Sequence, residues 1–202
     1  MITVLMAAIL FFSLRGAVQN FRVVGSSMQP YIMDGQYLLT NKLVYTHFSA
    51  DGPLGWLPFG VTTDDGLIFP FHPPNRGDLV VFHSQFCPTG GTGDQCIKRI
   101  VALPGETVEI KRGQIYIDGV FLQEPYIENS GARSSQGTTL GKQDYYLLGD
   151  NRTGSYDSRD FGPVDLDDLI GKAWVTYWPL SAASVLQASP PPSLQPSPSG
   201  LQ

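Results

Sequence analysis

Glu106-Thr107-Val108-Glu109-Ile110, Lys111-Arg112-Gly113, Ile115-Tyr116-Ile117, Asp118-Gly119 and Val120-Phe121-Leu122 decide the fold class. Apolar and polar residues alternate along Glu106–Ile110, which is the period of a strand with one buried face. The chain turns at Lys111-Arg112-Gly113, resumes as Ile115-Tyr116-Ile117, and meets Asp118-Gly119, a dipeptide suited to a tight hairpin because both positions accept positive φ. Outward from this meander lie further short runs of β-branched and aromatic residues. They are Phe21-Arg22-Val23-Val24, Gln36 to Thr40 leading into Lys42-Leu43-Val44-Tyr45, Leu79 to Phe82, Ile97 to Ala102, Asp144 to Leu148 and Lys172 to Trp178. Only Val164 to Leu169 hints at a short helix. The expected architecture is mainly β, a folded or closed antiparallel sheet body over residues 19–180.

The chain has 202 residues, 42% hydrophobic and 15% charged, enough for one domain with a real core and unlike a disordered or multi-pass membrane chain. A net charge of −5 without a basic run argues against nucleic acid as the main partner. Residues 49–74 are rich in Gly, Pro, Asp and aromatics without a sustained period and are expected to form a long surface insertion. From Ser181 the chain is mostly Ser, Pro, Gln and Ala, so 181–202 is expected to be a disordered tail. Ile2 to Leu14 is almost entirely apolar. A spanning helix needs roughly 20 such residues, a cleaved signal would want a positive start and a small-x-small site, and a core helix would show an amphipathic period. One membrane-anchor helix over 1–18, whether complete or missing its start, fits best, with Arg15 reaching the headgroups.

Two residues stand out chemically. Ser27 sits in a Gly/Ser turn just after the apolar segment, but an isolated hydroxyl is a poor nucleophile and needs a base within reach. His47, His72 and His83 are poor candidates, since none lies in a loop with a paired carboxylate. Lys98 interrupts an apolar run, where it shares a strand face with Ile100 and Ala102. A lysine ordinarily titrates near 10.4 and is almost wholly charged at neutral pH. Burial can lower that by as much as about 3–5 units, enough to make a base. Arg99 cannot do this, because a guanidinium stays charged. The alternative for Lys98 is an edge-strand lysine that discourages aggregation.

Four patches weigh against that alternative: Gly25-Ser26-Ser27-Met28-Gln29-Pro30, Arg76-Gly77-Asp78-Leu79-Val80-Val81-Phe82, Lys98-Arg99-Ile100-Val101-Ala102-Leu103-Pro104-Gly105, and the loop from Gly149-Asp150-Asn151-Arg152 through Asp157-Ser158-Arg159 to Gly162. In this order, after an apolar segment, they resemble the boxes of type I signal peptidases. The resemblance implies a membrane-bound serine endopeptidase that removes signal peptides from exported preproteins, without metal or other cofactor, cutting after small residues of the Ala-x-Ala kind. It implies Ser27 as nucleophile and Lys98 as general base, Ser155 orienting that lysine, and Asp150, Asp157, Arg159 and Arg99 in a supporting charge network. The substrate pockets would be walled by Phe21, Val23, Val24, Met28, Ile32 and Ile97. The partners would be signal peptides and membrane lipid, with the catalytic domain held outside the cytoplasm by a single pass through the inner membrane.

Some positions depart from the family pattern. Gly25 stands where a serine often completes the oxyanion hole, Tyr31 where threonine is common, and Cys96 where an aromatic residue is common. An extracytoplasmic setting permits a disulfide between Cys87 and Cys96, and two cysteines without further ligands do not make a zinc site. Trp174, Tyr177 and Trp178 fit equally a core-and-edge role or an interfacial belt. Two rivals remain. Self-cleaving repressor-type proteases share Ser/Lys chemistry but carry a DNA-binding helical domain that this chain lacks. A catalytically inactive, membrane-tethered peptide-binding β module is the other.

Overall fold

The computed structural model describes residues 3–6, 16–53, 55, 59–87, 94–186 and 191–195. Their strands are β1 (Val18–Arg22), β2 (Tyr37–Asn41), β3 (Phe48–Ser49), β4 (Val61–Thr62), β5 (Leu67–Phe69), β6 (Leu79–His83), β7 (Gln95–Ala102) and β8 (Thr107–Lys111). These are followed by β9 (Gln114–Ile117), β10 (Val120–Gln123), β11 (Ser135–Thr139), β12 (Asp144–Leu148), β13 (Val164–Asp165), β14 (Leu169–Trp178), β15 (Ser184–Val185) and β16 (Ser193–Gln195). One helical turn, α1 (Ser158–Phe161), lies between β12 and β13.

Both hairpin turns form where the dipeptides placed them. Arg112 and Gly113 have φ of 50° and 80°, as do Asp118 and Gly119, the left-handed pair that a two-residue hairpin loop requires. The resulting meander belongs to a sheet of order β11-β8-β9-β10-β16. The larger sheet runs β1-β2-β14-β6-β7-β12-β13, with β15 added to β14, and a small third sheet runs β3-β5-β4. All pairs among the described residues are antiparallel, and there the main path stays open, with β1 and β13 at its ends, so the described body is a curled sheet.

Packing explains the order. Four of the five β6 residues, Leu79 to Phe82, are buried, as an apolar run without alternation demands when neighbours cover both faces. One apolar cluster joins Phe82, Ile100, Leu147 and Leu169, and another joins Phe21, Val23, Met28, Ile32, Leu38 and Val81. A third holds the meander through Val101, Val108, Ile115, Ile117 and Leu148. Strand β7 touches all three, because Ile100 packs into the first, Ile97 borders the second and Val101 joins the third.

Several expectations are corrected. Lys42–Tyr45 is a turn, since Asn41 Oδ1 accepts from the Leu43 N–H at 3.0 Å and curls the chain out of β2. Val164–Leu169 is not a helix: Val164 pairs with Tyr145, and Asp165 caps a single 3₁₀ turn at Leu166–Asp168 before β14 begins. The 49–74 segment carries the third sheet and sends Ile68 and Phe69 into the interior, so it is only partly a surface excursion. Within the 181–202 tail, Ser193–Gln195 pairs with Gln123–Phe121, which composition alone could not foretell. Most of the expected anchor, residues 1–18, lies outside the described residues, and its last residue, Val18, already pairs with Asn41 in β1. No helix among the described residues is long and apolar enough to cross a membrane.

Candidate active site

Ser27 is held in a tight turn that continues from β1. Gly25 adopts φ 98°, a conformation a side chain would strain, and its N–H donates to Asp34 Oδ1 at 2.8 Å. Beyond the serine, Gln29 N–H donates to Ser26 O and Ile32 N–H to Met28 O, while Met28 and Ile32 are buried beneath. Among the described residues the Ser27 N–H donates to no protein acceptor.

Lys98 comes from β7, opposite Val80. Its Nζ lies 2.8 Å from Ser27 Oγ and 3.1 Å from Ile97 O. Only 4% of Lys98 is exposed, and burial, which disfavours the ammonium, brings its pKa from 10.5 down to about 8. Asp157 and Asp150 pull the other way and Arg159 adds to the lowering. The result is a hydroxyl in contact with an amine that is neutral in a useful fraction of molecules near pH 8.

The same strand anchors the nucleophile. Arg99, fully buried, forms two hydrogen bonds to Asp150, at 2.8 and 2.6 Å, and a third to Gly77 O at 2.9 Å. Its guanidinium is flanked by the rings of Tyr126 and Tyr31, with centroids at 4.1 and 5.0 Å. Next to Asp150, the Asn151 N–H donates to Ser27 O at 3.0 Å and its side-chain amide to Ser26 O at 3.2 Å. Gly149 packs so closely here that a Cβ would meet Ser155 Oγ and lie 2.6 Å from Ser27 O. Burial alone would raise the Asp157 carboxyl, but paired bonds from Arg159 at 2.7 and 2.8 Å and one from Gly149 N–H hold it below the usual carboxylate range.

Beside the dyad, β12 pairs with β7 only from Arg99 to Ala102. The Gln95–Lys98 part of β7 therefore borders a small cleft, ≈ 70 Å³, lined also by Phe21, Val23, Val24, Ser27, Leu38 and Val81.

Comparison with known proteins gives this geometry a family. A family model described as "Signal peptidase, peptidase S26" matches residues 1–178. The chain belongs to the type I signal peptidases. A signal peptidase I of Leptolyngbya laminosa is 37% identical over 63% of this chain and 63% of its own length. That alignment thus spans just under two thirds of the Leptolyngbya protein. Two probable signal peptidases I of a Synechocystis strain are 30% and 32% identical, over 91% and 88% of this chain and 74% and 80% of theirs. A crystal structure of a signal peptidase I from Enterococcus faecalis V583 superposes with a TM-score of 0.42 at 34% identity, covering 49% of this chain and 95% of that one.

Within this member of the family, the residues named from sequence separate by position. Ser27 and Lys98 are brought together, as are Arg99 with Asp150 and Asp157 with Arg159. Four of the six expected pocket residues, Phe21, Val23, Val24 and Ile97, line the cleft, while Met28 and Ile32 lie in the apolar cluster below. Ser155 is not bonded to Lys98. Its Oγ is buried close enough to Asp157 to help lower that carboxyl, yet completes no hydrogen bond of normal geometry among the described residues. Cys87 and Cys96 are joined, with a Cα–Cα distance of 5.5 Å. None of the three histidines lines the cleft. Sequence reasoning missed Asn151 as a clamp on the serine turn, Tyr126 beside Arg99, and the buried Arg152–Glu124 pair at 2.5 Å. The first lay inside a quoted motif. So did Arg152, but its partner Glu124, like Tyr126, lies in an irregular segment that leaves no periodic signal.

Proposed function

We propose that this peptidase hydrolyses the bond at the end of signal peptides by a Ser27/Lys98 dyad, cleaving after small residues. The observation that carries this reading is the 2.8 Å contact between Lys98 Nζ and Ser27 Oγ in a site where burial keeps the amine near neutrality. Neutral Lys98 accepts the Ser27 proton as Oγ attacks the carbonyl carbon. The ammonium then returns the proton to the leaving amine. Water, deprotonated by the same amine, resolves the acyl ester. The Ser27 N–H, which donates to no acceptor among the described residues, is available to the developing oxyanion. The Gly25 N–H is engaged by Asp34, so it does not serve as the second donor in this conformation.

Substrate enters as an extended strand along the Gln95–Lys98 edge of β7, in the manner of β-augmentation. The ≈ 70 Å³ cleft suits short side chains. Trp174 and Trp178, each 53% exposed, and Leu180, 76% exposed, offer an interfacial surface that would rest the domain on the bilayer outside the cytoplasm. The test is cleavage of a preprotein whose signal ends in Ala-x-Ala, with Ser27→Ala and Lys98→Ala in parallel. Cutting by the native chain alone supports the dyad. Equal cutting by all three overturns it, and binding without cutting by the native chain makes the molecule an inactive peptide-binding module.

A further inference from the structure

One residue of the cleft is half of a disulfide. Cys96 lines the cleft beside Ile97 and Lys98, two residues before the base, and is bonded to Cys87, which is 4% exposed. Cys87 ends a turn that closes on β6: Cys87 N–H donates to Ser84 O at 3.1 Å, and Ser84 N–H to Asp94 O at 2.8 Å. The preceding Phe86 stacks on Phe161 of α1, with centroids 5.8 Å apart and planes at 4°, and meets the Tyr156 ring at 6.2 Å. Asp157, which caps α1, is the carboxylate that accepts from Gly149 N–H. Cys96, which borders the cleft and also packs against the Phe82–Ile100 cluster, is therefore tied to a turn that packs against the loop supporting the serine.

A free side chain at position 96 could choose among staggered rotamers, whereas a bonded one cannot. We propose that the Cys87–Cys96 disulfide is a specificity-determining wall of the substrate cleft. Bonded, it fixes the Cys96 sulfur so that only short side chains fit. Opened, the wall yields and branched side chains enter. Opening requires a dithiol reductant: the S–S bond breaks, two thiols form with two electrons and two protons, and the dithiol leaves as its own disulfide. This inference rests on the proposed function, since it assigns the cleft to a substrate side chain.

The experiment compares two peptides that differ only by Ala or Val at the two small positions before the cut. They are offered to oxidised full-length protein, dithiothreitol-reduced protein, the Cys87→Ser/Cys96→Ser variant and the Cys87→Ala/Cys96→Phe variant. The expected preference for Ala over Val in kcat/KM is about tenfold or more in the oxidised protein, in the range that one or two methyl groups command in an apolar pocket. It falls to about threefold or less after reduction or double serine substitution, and returns when Phe refills the wall. Loss of activity toward both peptides in equal proportion, with the ratio unchanged, overturns the proposal and leaves the bridge a structural staple. The same ratios are read as Kd values on Ser27→Ala protein. If nothing is cut, the hydrolytic reading fails while the wall is still judged by those values, and if neither peptide binds, both fall.

Discussion

Replacing Lys98 by Met should abolish activity and make the protein more stable. Lys98 is 4% exposed, and the fall of its pKa from 10.5 to about 8 measures how much the fold disfavours the ammonium. At 1.36 kcal/mol per pKa unit this penalty is about 3 kcal/mol. Its folded pKa lies below the unfolded one, so the unfolded chain binds more protons between those values and stability rises with pH there. The penalty is complete below about pH 8 and by pH 10 roughly three-quarters of it is gone. Methionine keeps much of the stem but removes the charge, at the expense of the Ser27 contact, a loss of about 1 kcal/mol. The expected net gain is about 2 kcal/mol at pH 6.5 and close to nothing at pH 10. Guanidinium unfolding of both proteins at the two pH values checks it, because the other titrating groups cancel in the difference. A variant no more stable than the native chain at pH 6.5, or a gain that does not shrink by pH 10, would refute the reasoning that burial depresses this lysine.

Other outcomes follow from the same contacts. kcat/KM should climb about tenfold per pH unit and level off above about pH 8, as required of a base that must be neutral; a pH–rate series checks this. Asp150→Ala should destabilise the fold by about 3–5 kcal/mol in urea, because it strands the fully buried Arg99 guanidinium, and Asp150→Ala/Arg99→Met should recover part of that loss. Gly149→Ala should cut activity by two orders of magnitude or more, roughly the effect of a 1 Å misplacement, since its Cβ would press on Ser27 O; an unchanged kcat would contradict it. Asp157, buried and held below 3.8, contributes stability that is present above that value and is lost as pH falls through its folded pKa. Asp157→Asn should therefore flatten the acid limb of a Tm-against-pH curve.

What was legible in the sequence follows from what leaves a periodic or compositional trace. The Glu106–Leu122 meander was readable because alternation and two left-handed dipeptides agree at each step. Lys98 was conspicuous as a charge in an apolar run, and Ser27 as a hydroxyl in a glycine turn. The third sheet was not legible, since strands of two and three residues are shorter than any period. The Arg99 environment was only half visible: Asp150 sat in a motif, while Tyr126 arrives from a segment without regular structure. The helix suggested for Val164–Leu169 failed because pairing with Tyr145 and a single aspartate cap outweighed a weak local preference. At the other extreme, β16 forms in a composition that reads as disordered, because only three residues need to meet an edge already in place.

The alignment of β7 with β6 has a consequence of its own. Neighbouring residues of β7 have unlike surroundings: Cys96 lines the cleft, Lys98 meets the Ser27 hydroxyl and Arg99 carries a permanent charge to Asp150. Side chains alternate along a strand, so a slip of one residue would exchange the faces of all three at once. Slipped one way, β7 would present a guanidinium to Ser27 and an isoleucine to Asp150; slipped the other way, an isoleucine to Ser27 and an amine to Asp150. The five pairs from Leu79–Arg99 to His83–Gln95 therefore do more than stabilise a sheet: they act as a frame of reference for the chemistry. Changes of length between these two strands would be tolerated only where this frame is kept, so a lengthened 84–94 connection should spare catalysis, while one residue inserted within 96–99 should end it.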